Sequence, residues 1–194
     1  MSDLIDADTD YGPLACLIGV WKGNSGEDVA PEPDGDEHNP YYEFINFEAA
    51  GDVTNAEEET LAVVRYHQAV SRKSTGKVFH DQVGYWLWNP VSGVVIQTLS
   101  IPRAVTLLAG GQAICEGDRT VFAVRAAQGD TQWGITQSPF MQEKARTIEF
   151  RHELTVEGDE LKYNQTTLLD IYDKQSYEHT DRNTLHRQHS TTGM

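Results

Sequence analysis

Between Arg146 and Val156 the chain alternates without a break. Ile148, Phe150, His152, Leu154 and Val156 fall on one side, and Thr147, Glu149, Arg151, Glu153 and Thr155 on the other. One apolar face and one polar face at a period of two describe an antiparallel strand half-buried against a core. Gly158-Asp159 is a hairpin signal that joins this strand to Leu161–Ile171. Similar patterning begins at Tyr42, Phe44 and Ile45. It continues through Leu61–Val70, where Val64, Tyr66, Gln68 and Val70 share a side, then through Val78–Trp88, Val94–Ser100, Ala104–Leu108 and Arg119–Ala127. A last strand is expected at Asn183–Arg187. The reading is an all-β chain of about eight to ten antiparallel strands with hairpin-length links. No link is long enough for the helical crossovers of a parallel sheet. The same strands suit either a sandwich or a closed lipocalin-like barrel; only closure removes both sheet edges and leaves a central cavity.

The remaining segments punctuate that sheet. Residues 1–12 are acidic and polar and read as a flexible tail, as do residues 189–194. Pro13-Leu14-Ala15-Cys16-Leu17-Ile18 reads as one or two helical turns that stop at Gly19, a short N-terminal cap for one barrel end. Residues 26–40, GEDVAPEPDGDEHNP, combine three prolines with an acidic run and read as a surface loop. Residues 13–188 then form one domain, a size at which a single core suffices.

Thirty acidic residues against 15 Lys and Arg give a net charge of −15. That charge repels phosphate backbones and anionic bilayers, so nucleic acid and membrane are excluded as expected partners. MSDLIDADTDYG has neither a basic start nor an apolar run and is not read as a signal peptide. Cys16 and Cys115 are far apart in sequence and are read as unpaired thiols, which suits a cytoplasmic protein. A homodimer is compatible with the sequence, although no patch for it can be located.

The chain lacks a phosphate-cradling glycine loop, HExxH, GxSxG and a paired-cysteine metal site. Chemistry must therefore come from residues that the fold assembles, and the histidines are the first candidates. His152 lies on the apolar face of its strand, either as a ligand-directed imidazole or as a buried histidine satisfied by its neighbours. His80 shares strand parity with Gln82, Trp86 and Trp88. If that face is interior, it offers an aromatic patch with a polar handle for a flat ligand; if exterior, it is sheet surface. His179 precedes Thr180-Asp181-Arg182-Asn183, a run read as a turn, and by itself reads as a loop-edge residue. His38, His67, His186 and His189 look peripheral. Trp21, in Gly19-Val20-Trp21-Lys22-Gly23, reads as a plug at the closed end, with Gly19 and Gly23 permitting close approach.

Gly19-Val20-Trp21-Lys22-Gly23, then Phe79-His80-Asp81-Gln82-Val83-Gly84-Tyr85, then the aromatic strand and the histidine-bearing C-terminal stretch resemble the nitrobindins in their order. The resemblance spans roughly Pro13 to Arg187. Its short motifs gain weight from their sequence order. Nitrobindins are ten-stranded barrels related to fatty-acid-binding and lipocalin folds. They bind haem b through a histidine near the C-terminus and, as ferric proteins, isomerise peroxynitrite to nitrate. The resemblance implies a closed barrel here, with His179 on iron through Nε2 and His80 near the haem. It implies no role for His152. The first motif departs from the family's Gly-x-Trp-x-Gly-x-Gly by carrying Ser25 at the seventh place and Gly26 one later. Ile101-Pro102-Arg103 and Gly110-Gly111 also differ from the family's short run there.

The leading functional expectation is a small hydrophobic ligand inside the barrel, with haem b first and an iron that acts on nitric oxide or peroxynitrite. The alternative is a haem-free carrier of a fatty acid, lipid or other apolar metabolite, whose carboxylate would meet Arg65, Arg103 or Arg125. A haem-free enzyme using His80 or His152 as acid or base, and a non-catalytic interaction domain, complete the set.

Overall fold

The strand alternation closes on itself. In the computed structural model, which describes residues 9–189, the strands are β1 (Gly19–Glu32), β2 (Gly35–Asn55), β3 (Glu59–Arg72), β4 (Val78–Trp88), β5 (Val94–Ile101), β6 (Val105–Glu116), β7 (Arg119–Ala127), β8 (Ile135–Gln137), β9 (Ala145–Glu157), β10 (Glu160–Ile171) and β11 (Lys174–Arg187). Ten of them form an antiparallel ring. Chain neighbours pair throughout, β7 pairs with β9 across the short β8, and β1 pairs with β11 to seal the circle. The three residues of β8 pair with β6 at Val105–Leu107, a stretch that β7 does not reach. The sheet is a closed barrel, and the sandwich alternative is excluded. No helix among the described residues is long and apolar enough to cross a membrane. Residues 1–8 and 190–194, most of the two expected tails, lie outside the described residues.

One end is plugged. A 3-10 helix, Gly12–Leu17, starts with Pro13 in its first turn and buries Leu14 and Leu17 completely. Trp21 beneath it is fully buried, and its indole N–H donates to the Leu17 carbonyl at 2.7 Å. The Arg187 guanidinium lies 4.1 Å from the Trp21 ring centroid and donates to the Cys16 carbonyl at 2.8 Å. At Gly23 a Cβ would stand 2.6 Å from Asn183 Nδ2, so glycine is what lets β1 approach β11.

The apolar layer above the plug centres on Trp86, Phe122 and Leu154, all buried, with the Trp86 and Phe122 rings edge to face at 5.5 Å. Gly111 supports this packing by omission. A Cβ there would sit 1.8 Å from the Ala123 carbonyl oxygen on β7. Backbone cannot swing aside as a side chain can, so Gly111→Ala is expected to cost about 2 kcal/mol or more. Urea unfolding would measure this, and a loss below about 0.5 kcal/mol would contradict the close β6–β7 contact.

Two expected elements are corrected. Residues 26–40 form no loop. They are the ends of β1 and β2 and the tight turn between them, with Asp28 paired to Asn39 and both side chains buried inside the barrel. The prolines stand where sheet pairing has ended on one side. Pro31 lies beyond Val29, the last β1 residue paired with β11, and Pro40 just precedes Tyr41, where pairing with β3 begins. Thr180-Asp181-Arg182-Asn183 likewise belongs to β11, which starts nine residues before the expected Asn183. The turn is Tyr172-Asp173, both at positive φ (53° and 63°), the geometry of a two-residue hairpin.

Candidate functional site

The half of the barrel opposite the plug is hollow. It holds a cavity of about 350 Å³, at the lower end of the range for small-molecule sites. One wall is apolar, with Leu99, Ile101, Val105, Leu107 and Phe150. Met141, from the short helix α1 (Pro139–Lys144), also lines it. That helix is anchored by the Ser138 hydroxyl, which accepts the Met141 N–H at 3.3 Å. The other wall is polar and comes mainly from β1, β2 and β11.

His179 and Asp181 are two residues apart on β11 and so share its inner face. Asp181 is paired in register with Asp28 on β1. Their alternation therefore brings together three side chains of kinds that can ligate a metal, with the candidate atoms within 4.8 Å of one another. His179 Nε2 lies 2.6 Å from Asp28 Oδ1 and 3.7 Å from Asp181 Oδ2. Asn39 Nδ2 donates to Asp28 Oδ2 at 2.9 Å. Burial works against charge on Asp28, but the hydrogen bond and charge of His179 outweigh it and hold the carboxyl below its usual range. Burial also opposes charge on His179, yet the bond to Asp28 and the Asp181 charge raise its pKa. Burial pushes Asp181 up to about 7, His179 notwithstanding. The closer ion pair is thus Asp28 with His179, and Asp181 is the carboxyl of the two that takes up a proton first as pH falls.

His80 lines the same cavity, with Nε2 3.2 Å from Gln82 Oε1. Burial lowers its pKa, and the nearby Arg103 and His179 charges add to that, so it is the neutral imidazole of the two. Arg103 also borders the cavity, with only a 3.5 Å contact to the Phe79 carbonyl and no carboxylate within ion-pair distance among the described residues. Arg72 is different: it is held by Glu37 at 2.8 Å and lies over the Phe79 ring at 4.9 Å.

Other candidates fall elsewhere. Trp86 is sealed in the apolar layer, and Trp88 lies against Gly12 under the cap. His152 is interior, as its strand face implies, but sits below the cavity with Nδ1 2.9 Å from Gln97 Oε1. Burial lowers its pKa to about 4. Arg65 and Arg125 point outward to Glu48 and Glu149, so of the three arginines considered for a ligand carboxylate only Arg103 borders the cavity. Asp28, Asp181, Glu43 and Tyr163 were not singled out by sequence. Their only signal was inward strand parity, hidden for Asp28 by a proline-rich, acidic context.

The donor set fits a haem in one respect and resists it in another. An imidazole on a cavity wall with a carboxylate beside it is a common metal-ligand arrangement, and Nδ1 of His179 has no protein partner among the described residues. The expected iron-binding atom, however, is Nε2, and Nε2 is turned to Asp28. Ligation through Nε2 requires the ring to turn from Asp28 and to give up its proton.

Comparison with known proteins agrees with the architecture. The solved structure titled "Crystal Structure of Rv2717c from M. tuberculosis" superposes with a TM-score of 0.70 at 22% identity, covering 93% of this chain and all of that one. The family described as THAP4-like, heme-binding beta-barrel domain matches residues 10–187. That match spans both the plug and the cavity, and the chain belongs to this nitrobindin-like family of heme-binding β-barrels.

Proposed function

We propose that the cavity binds haem b, with His179 as its iron ligand. The observation that carries this reading is the position of His179: an imidazole on the wall of the cavity, with a buried carboxylate ready to accept a ring N–H. In that role the ring would turn Nε2 from Asp28 to the iron, and Asp28 would raise its basicity only by accepting the other ring N–H, that of Nδ1. The wall of Leu99, Val105, Leu107 and Phe150 would face the macrocycle, and unpaired Arg103 would meet a propionate at the mouth. Neutral His80 supplies a hydrogen-bonding group without a competing charge. Bound haem would supply the redox and small-molecule chemistry, with nitric oxide or peroxynitrite as substrate class, while the barrel limits solvent access. Hemin titrated into the purified protein is expected to give a saturable Soret change at one equivalent. His179→Ala should weaken binding at least about tenfold. No saturable change in the wild type would remove haem from the account, and an unchanged titration in the variant would remove His179.

A further inference from the structure

Glu43 lies inside the barrel between the cavity and the apolar layer, with 4% exposure and no cationic partner among the described residues. It is held by neutral groups from three other strands. Gln68 Nε2 on β3 donates to Oε1 at 2.7 Å, Asn183 Nδ2 on β11 donates to Oε2 at 2.6 Å, and the Tyr163 hydroxyl on β10 lies 3.0 Å from Oε2. The chain of contacts continues. Tyr163 Oη is 2.7 Å from Tyr41 Oη, and Tyr41 Oη is 3.1 Å from the Arg182 carbonyl. Gln68 and Tyr163 also line the ligand cavity.

This chain can run in either direction. With Glu43 ionised, Tyr41 donates to Tyr163 and Tyr163 donates to the carboxylate. With Glu43 protonated, its O–H donates to Tyr163, Tyr163 donates to Tyr41, and Tyr41 donates to the Arg182 carbonyl. Every hydroxyl proton has an acceptor in both states, so neither state strands a buried donor. A carboxylate kept only for structure needs no such second arrangement.

We propose that Glu43, Tyr163 and Tyr41 form a proton-exchanging unit in the floor of the cavity, which gives one proton to, or takes one from, a molecule bound against Tyr163. In the giving direction the Tyr163 hydroxyl turns from Tyr41 to the bound molecule; its O–H bond breaks as that proton passes over, and the Glu43 O–H bond breaks as the Tyr163 oxygen accepts its proton. Glu43 is left as carboxylate and Tyr163 neutral, with one proton transferred. The unit does not depend on the occupant being haem.

The surroundings allow both states near neutrality. Burial pushes Glu43 up to about 7; Asn183, Tyr163 and Gln68 oppose that rise, and Asp181 on β11 adds to it. Other titratable groups on this side are Tyr41 on the same strand, Tyr163 on β10, Asp28 on β1 with its partner His179 on β11, and His152 on β9, whose ring is 5.6 Å from that of Tyr163. β3 contributes only neutral Gln68 to the contact.

The test follows carbon-13-labelled glutamate carboxyl groups by NMR in the ligand-free full chain. One signal, absent from Glu43→Gln, is expected to titrate near neutral pH. Tyr41→Phe removes the acceptor that Tyr163 needs when Glu43 is protonated and should lower that midpoint by about one unit, a tenfold loss in proton affinity. Tyr163→Phe removes both the donor to the carboxylate and the acceptor of the Glu43 O–H, so in that background Tyr41→Phe should leave the midpoint where it is. A downward shift with Tyr163 present and none without it establishes the two-way chain. An unchanged or raised midpoint in Tyr41→Phe, an equal shift in both backgrounds, or a Glu43 signal fixed in one state from mildly acid to mildly alkaline solution, would overturn it. Should Tyr163→Phe fail to fold, the direction of the shift in Tyr41→Phe decides alone. Failure of hemin to bind would leave these readouts intact.

Discussion

Above about pH 7, Glu43→Gln is expected to be more stable than the wild type by roughly 3 kcal/mol, and the advantage should vanish below about pH 4.5. The folded-state pKa of Glu43 is raised, from 4.5 to about 7. Its contribution is therefore complete below the unfolded value and is lost as pH rises through the folded value, because the native state binds the extra proton. Glutamine has nearly the neutral acid's shape and no charge to bury; its NH2, turned to Tyr163, also displaces the Asn183 amide that donates to Oε2, a cost that does not vary with pH and leaves the slope of the difference unchanged. The measurement is urea unfolding of both proteins across this pH window. Parallel curves would show that Glu43 is not strained by burial.

His152 should give the mirror image. Its folded pKa is depressed from 6.5 to about 4 by burial. The stability tied to its neutral state is complete above about pH 6.5 and is lost as pH falls through about 4, roughly 3 kcal/mol in all. His152→Gln keeps a donor for Gln97 and removes the titration, so its acid loss should be smaller by that amount. Between about pH 4.5 and 6.5 the two groups slope in opposite directions, and in the wild type they cancel. Each single variant then exposes the other residue: Glu43→Gln should gain stability with rising pH across that interval, and His152→Gln should lose it. A slope unchanged in both variants would contradict the assignment. Exposed carboxylates contribute equally to all three curves and drop out of the differences.

These two residues also mark how far the sequence carries. The strand at Arg146–Val156 and its hairpin were legible because the polar and apolar faces separate cleanly, as they do where the outer wall meets water. The same parity placed Val64, Tyr66 and Gln68 inward and put His152 in the interior. Reading failed where the interior itself is polar. Glu43 shares the inner face of Tyr41, Ile45 and Phe47, yet a lone carboxylate made the outward set containing Tyr42 look like the start of the pattern. Asp28 and Asn39 are buried in a stretch whose prolines and acids suggest a loop. The pairing of Asp28 with His179 joins positions 151 residues apart, and no local spacing encodes it. The resemblance supplied His179 and His80 as cavity residues, and strand parity alone could not have separated them from Trp86 and Trp88, which lie deeper toward the plug.

The central claim is that His179 holds iron inside this barrel. Resonance Raman spectroscopy of the reduced, hemin-loaded protein tests it at the bond itself. The wild type is expected to show an iron–imidazole stretching band that shifts when histidine is labelled with nitrogen-15. In His179→Ala that band should disappear and return on addition of free imidazole. A band that persists in His179→Ala, or none in a wild-type protein that has bound hemin, would contradict the account.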